Sequence, residues 1–167
     1  MAPTGFLQAP RTGITIPTVM QLEKSGMIPR GSETILLVEP DPETRKLAAF
    51  MLCKQGYEVL EARNGGEAFQ VFQERGSSVD LLLTEALMSE VNGHELARLL
   101  GVKQPRLRVV FISDSNYAHL TQRVARRKKL VFLERPFTMR LLANKVRQAL
   151  DGTSNRVAHA AAQASYG

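Results

Sequence analysis

The chain has 167 residues, a net charge of +6, a hydrophobic fraction of 44% and no Trp. This length fits one ordinary domain with tails to spare, and no apolar run reaches the roughly 20 residues that span a bilayer. A single cysteine, Cys53, excludes an internal disulfide and any multi-cysteine metal site, and the start MAPTGFLQAPRTG lacks the basic and apolar blocks of a secretion signal, so a cytoplasmic location is expected.

Residues 1–32 hold four prolines and four glycines without a sustained hydrophobic period, and are predicted to be a flexible linker. Thr34–Val38 (TILLV) is a continuous apolar run, the pattern of a strand covered on both faces. A helix is predicted from Pro42 to about Gln55, with Asp41 as N-cap and Gly56 as its stop. Its Leu47/Met51 and Ala48/Leu52 pairs are expected to face inward, and Cys53 is expected as a small buried hydrophobe. Tyr57–Ala62 reads as a second strand, and Asn64-Gly65-Gly66 opens a helix ending at Gly76. Asp80–Thr84 reads as a third strand, followed by a short helix over Gly93–Leu100 with Leu96, Leu99 and Leu100 on one side. Leu107–Ser113 reads as a fourth strand, and a polar, basic helix is expected to about Lys129. Leu130–Leu133 is a fifth strand, and a final helix over Phe137–Leu150 is expected to turn Leu142, Val146, Ala149 and Leu150 inward. The remaining residues, 152–167, are rich in Ala and polar side chains and are expected to be a disordered tail.

Strands alternating with helices through short connections predict an α/β fold with a parallel sheet covered on both faces. Ligand chemistry in such folds gathers beyond the carboxyl ends of the strands. The residues there are Glu39-Pro40-Asp41, Glu85, Ser113-Asp114 and Glu134-Arg135-Pro136. No P-loop, G-x-S-x-G or Rossmann glycine fingerprint is present, and no enzymatic activity is expected. His94 and His119 stand on predicted helices with no His, Cys or second acid at ligand spacing and read as surface residues, and His159 lies in the tail.

The blocks ETILLVEPDPETRKLAAFMLC, DLLLTEALM, VVFISDS and FLERPF, in this order and spacing, resemble the receiver domain of response regulators and hybrid histidine kinases over residues 33–151. The resemblance implies a CheY-like, flavodoxin-like five-stranded parallel sheet in a three-layer α/β/α arrangement, for which the strand order 2-1-3-4-5 is the known example. It also implies a phosphorylation site, and that site is altered here. The paired acids after the first strand become Glu39 and Pro40, and the phosphoacceptor aspartate becomes Glu85. The phosphate-contacting hydroxyl is Ser113, the lysine becomes Arg135, and Phe132 takes the place of an aromatic switch residue. The backbone carbonyl of Leu87 would be the remaining metal ligand.

Each departure has a chemical consequence. Pro40 removes a carboxylate and fixes φ, so at most weak Mg²⁺ binding at Glu39, Glu85 and the Leu87 carbonyl is expected, with Asp41 better used as a cap. Glu85 is one methylene too long for in-line attack, since a misplacement of about 1 Å costs about a hundredfold. The guanidinium of Arg135 is a planar fork suited to a carboxylate, so a permanent Glu85–Arg135 ion pair is expected. The resemblance also implies a cis bond at Arg135–Pro136, which an X-Pro bond allows at a cost of about 0.5–1 kcal/mol.

The resulting expectation is a pseudo-receiver in a two-component phosphorelay, acting through phosphorylation-independent contacts with a histidine kinase or another signalling protein. The resemblance implies the fourth helix, fifth strand and final helix as the docking face. A working phosphoacceptor is the first alternative. The second is an anionic-surface binder: Arg123, Arg126, Arg127, Lys128 and Lys129 form a basic run without an acid among them. Cations alone attract nucleic acid through counterion release, but an acidic protein partner ranks ahead of it here.

Overall fold

In the computed structural model, residues 28–89, 91–114 and 130–152 are described. The predicted basic helix with Arg123–Lys129, His119, nearly all of the predicted linker and the tail beyond Gly152 lie outside them. The described elements are β1 (Thr34–Val38), α1 (Pro42–Lys54), β2 (Glu58–Ala62), α2 (Gly65–Arg75), a 3₁₀ turn (Gly76–Ser78), β3 (Leu81–Glu85), α3 (Gly93–Lys103), β4 (Arg108–Asp114), β5 (Val131–Arg135) and α4 (Met139–Asp151). The strands form one parallel sheet in the order β2-β1-β3-β4-β5.

The apolar runs explain why β1 and β3 are central: every residue of both is buried. The strand pleat divides them between two layers. Ile35, Leu37, Leu81, Leu83, Val110 and Ile112 meet Ala48 and Leu52 of α1 and Leu142, Val146 and Ala149 of α4. Leu36, Val38, Leu82, Val109 and Phe111 meet Ala68 and Phe72 of α2 and Leu96, Ala97 and Leu100 of α3 on the other face. The three-layer arrangement follows from these two sets.

Local signals fix the ends of α1. The Asp41 carboxylate accepts from the Thr44 N–H at 2.7 Å, and Gly56 closes the helix at φ 100°. A Cβ on Gly56 would also lie 2.5 Å from the Gly31 carbonyl oxygen, so the site needs glycine twice over.

Three packing expectations are corrected. Leu47 and Leu99 are exposed, at 51% and 37%, and Cys53 is exposed as well. In α1 the small Ala48 and Ala49 set the close approach to the sheet, which turns Leu47 to the opposite side and leaves Cys53 on the exposed flank. In α3, Leu96, Ala97 and Leu100 fill the contact instead, and the helix runs on to Lys103. Leu150 is only partly buried against its layer.

Candidate functional site

β1, β3, β4 and β5 end at a common edge, where their last residues surround a cavity of about 270 Å³. It is lined by Glu39, Pro40, Asp41, Glu85, Leu87, Ser113, Asp114 and Arg135. The order of the sheet changes direction between β1 and β3, which places Glu39 and Glu85 side by side at the switch point. Both are buried.

Arg135 enters from β5 and answers these buried charges. Its Nη1 donates to Glu39 Oε2 at 3.2 Å, and its Nη2 donates to Glu85 Oε2. Its Nε lies 3.4 Å from Asp114 Oδ1, a residue placed directly opposite by the β4–β5 register. The expected Glu85–Arg135 pair is therefore one arm of a three-acid cluster. The Arg135–Pro136 bond is cis, as expected.

The remaining carboxylate oxygens are also engaged. Glu39 Oε1 accepts from the Asp41 N–H at 3.0 Å, and Glu85 Oε1 accepts from the Leu87 N–H at 3.3 Å. Asp41 caps α1. Burial pushes the Glu39 carboxyl above the usual glutamate range, against the pull of the Asp41 N–H and of Arg135. Magnesium asks for near-octahedral oxygen ligands, whereas these oxygens already serve a guanidinium and backbone donors. The donor set does not fit Mg²⁺ while Arg135 holds this position.

Ser113 is buried at 1% exposure, and its hydroxyl makes no hydrogen bond among the described residues, so Glu85 does not draw it inward. Phe132 is half-buried, with its ring centroid 5.4 Å from that of Phe111 and 6.3 Å from that of His94. His94 itself is half-buried and packs on Phe111, with the ring centroids 4.2 Å apart. The structure adds Arg45, whose Nη1 donates to the carbonyls of Glu39 at 2.6 Å and Pro40 at 3.3 Å and so holds the loop that carries the first acid. No sequence signal links residues at that spacing across a loop and a helix turn.

Among known proteins, the response regulator receiver domain matches the chain over residues 35–147. The chain is 32% identical over 121 residues to the sensor kinase CckA of Brucella abortus, covering 72% of this chain and 13% of the kinase. It is 34% identical over 116 residues to the response regulator receiver protein CpdR of the same organism, covering 70% of this chain and 95% of CpdR. The crystal structure of the receiver domain from the hybrid histidine kinase CckA superposes with a TM-score of 0.58 at 31% identity, covering 70% of this chain and 98% of that one. Among the described residues, no helix is long and apolar enough to cross a membrane.

Proposed function

The chain belongs to the response regulator receiver domain family, and from that premise we propose a signalling module whose phosphate site is held in one state by its own ion pairs. It acts by binding a signalling protein of the two-component class, without phosphotransfer. The observation that carries this reading is the position of Arg135, bound at once to Glu39 and Glu85 inside the cavity.

A receiver switches because phosphate interacts differently with two conformations. Here a carboxylate is fixed by covalent structure where phosphate charge would come and go, and a guanidinium is fixed against it. Nothing in that pair can be added or removed by a kinase. The carboxylate supplies charge but leaves the Ser113 hydroxyl unengaged, so its likeness to a phosphoryl group is one of charge alone. Magnesium binding is weak in this reading, because the metal must compete with Arg135 for both glutamates.

Exposure to acetyl phosphate tests the proposal. The native chain is expected to gain no phosphoryl mass, and its binding to a partner recovered by pull-down is expected not to change. Glu85→Gln and Arg135→Ala should each lower that binding. A phosphoryl adduct on the native chain that disappears in Glu85→Gln would make Glu85 a working phosphoacceptor and end this reading.

A further inference from the structure

Helix α1 carries its most exposed apolar residues on the line farthest from the sheet. Leu47 and Phe50 are 51% and 55% exposed, whereas Ala48, Ala49 and Leu52 are buried on the opposite side. A surface helix ordinarily places polar residues on this outer line. Glu43 and Lys54 extend it by one turn in each direction, and both are exposed. At 3.6 residues per turn, positions 43, 47, 50 and 54 fall within about 60° of one another. Their spacing of four, three and four residues is the seam of a coiled coil.

Charge along this seam is antisymmetric. Glu43 stands at the helix N-terminal end and forms no ion pair among the described residues. Lys54 stands at the other end, and its ammonium lies 5.4 Å from the centroid of the Phe50 ring. Lys54 likewise forms no ion pair among the described residues. A twofold axis crossing the helix between Ala48 and Ala49 would pack Leu47 against Phe50 of a second copy. The same axis would bring Glu43 to Lys54 of that copy, twice per dimer. Antiparallel pairing thus satisfies both charges and covers both apolar side chains.

We infer that the outer face of α1 is a self-complementary surface on which two copies of this chain pair antiparallel. The interface is isologous and closes at two copies. A single pair of helices buries an area at the low end of specific interfaces, so the association is weak and needs high protein concentration. In this register the two Cys53 residues stand about 13 Å apart along the axis, at 1.5 Å per residue, beyond disulfide reach.

Sedimentation equilibrium of the full chain, from micromolar to millimolar concentration, tests the inference. The native chain should dimerise, more weakly at high salt. Glu43→Lys and Lys54→Glu should each raise the dissociation constant about fivefold or more, because each replaces two attractions by two repulsions. Combining the two should restore it to about the native value, and Leu47→Ser with Phe50→Ser should abolish the dimer. All four positions are exposed, and circular dichroism checks that each variant folds. A chain that stays monomeric at millimolar concentration overturns the inference. So does a dimer indifferent to these substitutions, a double reversal no tighter than the single ones, or a dimer that oxidises readily through Cys53. If the chain is monomeric and α1 substitutions weaken only its capture of a different protein, the face belongs to that partner and the twofold pairing is wrong.

Discussion

Arg135 is the residue on which the site turns, because it neutralises two buried carboxylates from different strands. Its side chain is 26% exposed, against 2% and 9% for Glu39 and Glu85. Removing one partner of a buried pair costs about 3–5 kcal/mol, and water reaching the guanidinium reduces that here, so Arg135→Ala should cost about 2–3 kcal/mol in urea denaturation near neutral pH. Arg135→Lys should fall between the two, since a single ammonium cannot hold both acids in one plane. Freed of the guanidinium, Glu39 and Glu85 should bind Mg²⁺ more tightly, and amide shifts near Leu87 in millimolar Mg²⁺ should move in Arg135→Ala and hardly at all in the native chain. The attraction between Glu85 and Arg135 was legible from residue type together with the receiver resemblance, which puts both at the phosphate site. The share taken by Glu39 and Asp114 was not, because it depends on the β4–β5 register and on how deeply the fold buries the residue that follows β1.

Among the elements, α1 shows most sharply what the sequence can and cannot settle. Its ends are local chemistry, an Asp cap ahead of Pro42 and a glycine stop, and both stand where the residues put them. Its rotation is not local. The pairs Leu47/Met51 and Ala48/Leu52 are equally regular stripes 100° apart on a helix, and only the sheet decides between them. Small alanines won the contact, so larger apolar residues face outward. The central strands were legible for the opposite reason: a run buried on both faces has no rotation to choose. Gly56→Ala tests the stop. The left-handed conformation costs an L residue about 1–2 kcal/mol. The added methyl meets the Gly31 carbonyl oxygen at 2.5 Å, so the loss in thermal or urea denaturation should exceed that range. A loss below about 1 kcal/mol would mean that the turn relaxes into another geometry.

For the whole molecule, acids with opposite tendencies give stability two opposed dependences on pH. Burial raises the carboxyl of Glu33, but hydrogen bonds from Arg147 and the backbone outweigh it and leave the group below its ordinary 4.5. Asp151 is lowered from 3.8 by the hydrogen bond with Arg147. Groups lowered in this way hold fewer protons folded than unfolded, so their stabilisation is present above the unfolded value and is lost as pH falls through the folded one. Because Asp151 is exposed, its share should shrink in salt. Glu39 acts in the other sense. Its folded value is raised above 4.5 by burial, so the folded state holds the extra proton. Stability must therefore decline as pH rises from about 4.5 through the raised value, and stay lower above it. Glu39→Gln isolates this slope, since glutamine resembles the protonated acid and cannot ionise. The variant should match the native chain in urea denaturation near pH 4 and exceed it near pH 8, with Glu85 and Asp114 still holding Arg135. If Glu39→Gln is instead the less stable protein at pH 8, the ion pair with Arg135 outweighs the burial of Glu39, and the ionised acid stabilises the fold.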